Sequence, residues 1–190
     1  MWRRRATALR GILVLLGGCA GLPSRQPADA SADRALVGLW VPSPPEVIAV
    51  MLELAQVSPT DVLYDLGSGE GEIVIEAARR YGVRAVGVEL EPERIENAHK
   101  KAAAAGVTDR VTFIEWDLFE VNISEATVVT LYLFPELNER LLPKLLPELK
   151  PGTRIVSHDF GLADWAPEKT VEVPLDRIRR VYLWTVPVRP

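Results

Sequence analysis

Seven residues constrain this chain more than any others: Asp65-Leu66-Gly67-Ser68-Gly69-Glu70-Gly71. They lie between a short apolar run, Val62-Leu63-Tyr64-Asp65, and an amphipathic run from about Ile73 to Tyr81. A strand that ends in a glycine-rich turn before a helix lets the backbone approach a ligand and aims free helix N–H groups at it. The spacing then sorts the ligands. A dinucleotide loop reads G-x-G-x-x-G. Here Gly67 and Gly69 match, Glu72 occupies the third position, and the observed order is G-x-G-x-G. No Gly-Lys-Ser/Thr follows, which excludes a P-loop. Asp65 and Glu70 would repel phosphate and attract a ligand that carries cationic groups.

The loop heads a regular alternation of patterns. Ser43-Pro44-Pro45-Glu46 has the form of a helix start, with Ser43 as the cap, proline at the first helical position and Glu46 three residues after the cap. Val47, Ile48, Met51, Leu52 and Ala55 then share one helical face. Further strands are expected over residues 85–89, 111–115, 127–133 and 154–158, with helices over 92–105 and 137–149. Lys150-Pro151-Gly152 stops the last helix. Two strands, residues 170–173 and 181–186, close the chain. This order predicts an α/β fold, Rossmann-like, with a mostly parallel seven-stranded sheet and helices on both faces. The short connection between the last two strands predicts a hairpin, hence an antiparallel edge strand. With 190 residues, one folded domain is expected, over 36–190.

Residues 62–78 resemble the first motif of class I S-adenosylmethionine (SAM)-dependent methyltransferases, a ligand that carries both an ammonium and a sulfonium. The resemblance implies SAM as cofactor, bound through Asp65, Gly67, Ser68, Gly69, Glu70 and Gly71. It implies that Glu89, in Gly87-Val88-Glu89, binds the ribose hydroxyls; a carboxylate accepts two hydrogen bonds, which suits a vicinal diol. It places Asp117, followed by Leu118, beside the adenine amino group. Each acid also has a plainer reading: Asp65 and Asp117 as caps of turns, Glu89 as a solvated strand end.

Methyl transfer from a sulfonium is an in-line displacement, so the protein contributes positioning and desolvation, and a general base only for a protonated nucleophile. Candidates are Tyr132, His158 and Asp159, from the C-terminal ends of the fourth and fifth strands. His158 reads equally as a base or as a structural hydrogen-bonding group. The Asn/Asp-Pro-Pro-Tyr signature of many amide and nucleobase N-methyltransferases is absent. Pro42-Ser43-Pro44-Pro45-Glu46, the glycine loop and Leu131-Tyr132-Leu133 together resemble small bacterial methyltransferases distantly similar to protein-lysine methyltransferases of the mitochondrial inner membrane. That resemblance implies a protein lysine or another amine as acceptor.

The net charge is −4, which argues against a general nucleic-acid partner. A single cysteine, Cys19, excludes an intramolecular disulfide and the cysteine-pattern metal sites, and no metal is expected. The N-terminus has a separate logic. Arg3, Arg4, Arg5 and Arg10 precede the apolar run Gly11 to Gly18, and Leu16-Gly17-Gly18-Cys19 follows the form of a bacterial lipoprotein box. Residues 1–19 are therefore expected to be a signal with Cys19 as lipid anchor, and 20–35, rich in Pro, Ala and Ser, a flexible tether. This addresses the chain to the bacterial envelope; without a true signal it would be cytoplasmic. SAM is made in the cytosol, so an exported chain admits a second reading, a lipoprotein of the same fold that binds or scaffolds without catalysis.

Overall fold

A computed structural model describes residues 41–188; the expected signal, Cys19 and the tether lie outside the described residues. The elements in chain order are α1 (Pro45–Leu54), β1 (Val62–Leu66), α2 (Glu72–Tyr81), β2 (Arg84–Glu89), α3 (Pro92–Ala105), β3 (Val111–Glu115), β4 (Val128–Leu131), α4 (Pro135–Glu148), β5 (Arg154–His158), β6 (Lys169–Pro174) and β7 (Ile178–Thr185). They form a seven-stranded sheet in the order β3-β2-β1-β4-β5-β7-β6. The first five strands are parallel, as expected of βα repeats. The closing pair is the hairpin that its short connection predicts. Its antiparallel strand, β7, pairs with β5 on one side and β6 on the other, so β6 forms the rim.

Strand residues alternate between the two faces. Leu63, Ala85, Val128 and Val156 face α1, α2 and α3, where they meet Met51, Leu52, Val74, Ala77, Ala98 and Ala102. Leu66, Val88, Val129, Leu131 and Ile155 face α4, with Leu137, Leu141 and Leu145, and the non-helical stretch that carries Leu118, Val121 and Ile123. All four residues of β4 are buried, which accounts for its nearly all-apolar sequence; the exception, Thr130, is hydrogen-bonded. β4 is shorter than its pattern suggests. Thr127 still bonds through its backbone to Val62 and Arg154 while its hydroxyl donates to Asp61 (2.7 Å), and the strand ends at Leu131, before Tyr132 and Leu133. Arg154 reaches from β5 to the carbonyl of Ala55 (2.6 Å) and to Asp61, fastening the end of α1 under the sheet.

Contrary to the expected helix start, Ser43 does not cap α1. The cap position is Pro44, with Pro45 at the first helical position and no side-chain cap bond. Two prolines hold the preceding backbone extended and set Ser43 one residue too early. Its hydroxyl instead meets Nδ1 of buried His158 at 2.9 Å. No helix among the described residues is long and apolar enough to cross a membrane.

Candidate active site

The chain turns one way after β1, to β2, and the other way after β4, to β5. The loops at the C-terminal ends of these neighbouring strands part and leave a crevice, the usual ligand position in an open α/β sheet. The register pairs Asp65 with Thr130 across it. Thr130 donates its hydroxyl to Asp65 Oδ1 at 2.7 Å. Burial pushes the Asp65 carboxyl up to about 7, against the Thr130 bond and with help from the charges of Glu72 and Glu89.

The glycines of the loop are a steric requirement. Gly67 has φ of +82°, and a Cβ there would lie 2.7 Å from Leu133 Cδ2. Gly71 has φ of +85°, and its Cβ would strike the Phe113 ring at 2.7 Å. Only glycine combines that backbone with so close an approach. The N–H groups of Gly67 and Ser68 both donate to Val88 O at 2.9 Å, which pins the loop to β2. Glu89 adds a second stitch. Its Oε2 accepts from the Gly69 N–H (2.9 Å) and its Oε1 from the N–H groups of Leu90 (2.8 Å) and Glu91 (3.0 Å). Glu89 is therefore buried and held in place, not a solvated strand end. Asp117 does cap its turn, accepting from the Phe119 N–H at 2.8 Å, and it also lines the crevice beside Leu118.

Among the sequence candidates, Asp65, Gly67, Ser68, Glu89, Asp117, Leu118 and Tyr132 come together around one cleft. Gly69, Glu70 and Gly71 do not line it. Glu70 turns toward α3, where Asn97 Nδ2 donates to it at 2.9 Å and Lys101 pairs with it at 2.6 Å; the Lys101 and Asn97 bonds hold its carboxyl below the ordinary range. His158 and Asp159 are absent from the lining as well. His158 is fully buried beneath Tyr132, ring on ring, with centroids 3.9 Å apart. Burial drives it down to about 4; Asp159 opposes the shift, and Arg179 and Arg177 add to it. Its Nδ1 shares a hydrogen bond with the Ser43 hydroxyl, while its buried Nε2, 3.5 Å from Asp159 Oδ2, makes none. Asp159, at φ of 61°, is itself occupied. It accepts from the Arg180 N–H (3.0 Å) and pairs with Arg177 (2.5 Å). Burial alone would raise its carboxyl, but these bonds outweigh burial and hold it low.

Sequence reasoning missed several lining residues. Val41 and Pro42 cross the cleft ahead of α1; Glu72 opens α2, Arg94 comes from α3, Trp116 follows β3, and Phe160 follows β5. Glu72 had a signal, since it replaces the third glycine of the dinucleotide pattern. Trp116 had another, a large apolar side chain beside Asp117, and it is 53% exposed. Phe160 and Arg94 had none, because only the tertiary fold brings them to the crevice.

The lining carries four carboxylates, Asp65, Glu72, Glu89 and Asp117, against one guanidinium, Arg94, which lies 3.7 Å from Glu89. Ser68 Oγ is buried without a hydrogen-bond partner, packed over the backbone of Gly87. A cradle of glycine backbone and converging carboxylates fits a ligand with an amino group, hydroxyls and a positive charge, and repels a chain of phosphates.

Comparison with known proteins gives the same result. The family model of the ANTKMT methyltransferase domain matches residues 65–169, more than half of the chain. A protein-lysine N-methyltransferase of Saccharolobus islandicus is 47% identical over 149 residues, covering 77% of this chain and 92% of that protein. An adenine nucleotide translocase lysine N-methyltransferase of Mus musculus is 38% identical over 117 residues, 61% of this chain; the match spans 51% of the length of that relative. Among solved structures, one described as an RNA methyltransferase from Salinibacter ruber, in complex with S-adenosylhomocysteine, is 55% identical with a TM-score of 0.75, over 79% of this chain and 96% of the other. The chain accordingly belongs to the ANTKMT methyltransferase domain family of class I SAM-dependent methyltransferases, with SAM as its cofactor.

Proposed function

We propose that the acceptor is a lysine side chain of a protein. The observation that carries this reading is the 47% identity to a protein-lysine N-methyltransferase, 92% of whose length is matched. The net charge of −4 supports it, since a negatively charged protein attracts a basic protein more readily than a polyanion. In this reading Asp65 and Ser68 serve the amino-acid end of the cofactor, Gly67 lets the backbone approach it, Glu89 takes the ribose hydroxyls, and Asp117 with Leu118 borders the adenine. The bound cofactor supplies an electrophilic methyl group on a sulfonium. The chain supplies alignment. Tyr132, Phe134 and Phe160 border the acceptor side and keep it dry, which favours the uncharged amine that can attack. His158 acts from behind as the support of Tyr132, with its Nδ1 tied to the Ser43 hydroxyl.

The full chain, incubated with SAM and lysine-bearing proteins, is expected to methylate lysine, as read by mass spectrometry of the digested substrate. Asp65→Ala is expected to remove both transfer and SAM binding. Transfer to RNA with none to protein would overturn the lysine assignment.

We also propose, from residues 1–19 alone, that the domain over 36–190 is held at the bacterial envelope through a lipid on Cys19 and the tether 20–35. Palmitate labelling of the chain, lost in Cys19→Ser, is the expected result. An unlabelled cytosolic chain would refute it.

A further inference from the structure

The acceptor half of the cleft is built from aromatic rings. Tyr132 follows β4, Phe134 precedes α4 and Phe160 follows β5, and all three line the cleft. The Tyr132 and Phe160 rings are nearly parallel, 15° between planes and 6.2 Å between centroids. Phe134 joins Phe160 at 6.1 Å and 38°. Each ring is half-buried, and Tyr132 and Phe134 are backed by the fold. His158 lies under Tyr132 at 3.9 Å, and α4 begins directly after Phe134 with Leu137 in the core. Rings held this way keep their faces available to a ligand at little cost in side-chain freedom.

This wall is uncharged, and the charged part of the cleft is mostly acidic. Aromatic faces attract cations through the ring quadrupole, most strongly where water is excluded. An alkylated ammonium suits such a surface better than a bare one, because its methyl groups are weakly hydrated and make apolar contact. A nucleobase would also stack on these rings, so a nucleotide is the competing ligand that the test must include.

We infer that Tyr132, Phe134 and Phe160 form a cation-binding wall that recognises a methylated ammonium group. The protein therefore binds the methylated side chain as a ligand in its own right. The choice of lysine as the bearer of that group rests on the function proposed above; the wall itself rests on ring geometry and charge.

The test uses the full chain saturated with S-adenosylhomocysteine. Nα-acetyl-Nε-trimethyl-lysine methylamide is titrated by calorimetry, beside its neutral isostere in which a tert-butyl group replaces the trimethylammonium. The cation is expected to bind at least about tenfold more tightly than the isostere. Phe160→Leu and Phe134→Leu are each expected to remove most of that preference while the rings' apolar bulk is largely kept. Retained S-adenosylhomocysteine binding shows that each variant is folded. Equal binding of cation and isostere, binding of neither, or tighter binding of adenosine monophosphate than of the cation would overturn the inference. The two readings fail separately. Lysine transfer with no cation preference removes only the wall, and a cation preference without lysine transfer removes only the lysine assignment.

Discussion

Asp65 is placed where folding and binding pull in opposite directions. It is buried, and its carboxyl sits at about 7 because desolvation outweighs the Thr130 bond. A cationic ligand favours the ionised form, so SAM affinity is expected to rise between about pH 6 and about pH 8, and Asp65→Asn to flatten that rise in a calorimetric titration. His158 has the converse shift. Its value of about 4 lies below the ordinary 6.5, so the unfolded chain takes up a proton that the folded one refuses. The stability this gives is complete above 6.5 and is lost as pH falls toward 4. Asp65, raised from 3.8 to about 7, holds a proton in the folded chain that the unfolded one releases, so its contribution grows as pH falls over nearly the same window. The two slopes oppose each other in the native chain. Asp65→Asn uncovers the histidine slope, and stability in urea is expected to drop by up to about 3 kcal/mol from pH 6.5 to pH 4. A flat profile in that variant would refute the assignment of His158 as a buried neutral group. The sequence named both residues as site candidates, but it could not separate lining from support. Glu70 belongs to the motif and faces Lys101; Phe160 belongs to no motif and faces the cleft. Which way a side chain points depends on what the next element places beside it.

The elements themselves were legible wherever a local pattern sets them. The glycine loop, the strands at 111–115 and 154–158 and the helix at 92–105 sit where their periodicity puts them, because apolar spacing and stop residues act within a few residues. The helix start at Ser43 failed because Pro44 takes the cap position and leaves the Ser43 hydroxyl free to meet a histidine 115 positions away. The loop gives a matched pair of tests at this scale. Gly71→Ala combines a left-handed backbone with a clash against the Phe113 ring, whereas Gly106, after α3 with φ of +69°, has nothing within 4 Å of an added Cβ. Gly106→Ala is expected to cost about 1 kcal/mol from backbone strain alone. Gly71→Ala is expected to cost about 3 kcal/mol or more in thermal melts and to lose S-adenosylhomocysteine affinity, since the loop must shift to relieve the contact. Equal melting losses for the two would show that Phe113 yields freely and that the loop is less tightly fitted than its contacts indicate.

For the whole molecule, charge and chain order matter most. A net charge of −4 and an acid-lined cleft predict that methyl transfer to a basic protein slows as salt is raised, and that added RNA competes poorly. Inhibition by RNA at low salt would contradict this. The count of strands and the closing hairpin could be read from the sequence, but the order of strands in the sheet could not. Nothing local to residues 169–185 says that β7 must insert between β5 and β6. That insertion has a consequence for how the protein is made. β5 carries the support of the acceptor wall, His158, and its outer edge is closed only by Val181 and its neighbours. On the ribosome the cofactor loop emerges more than a hundred residues before β7, so the half that holds the donor can organise while the other half still shows a bare strand edge. During that interval the unfinished sheet is open to pairing with other chains, and a stall shortly before residue 178 would leave a domain able to aggregate and unable to select its acceptor.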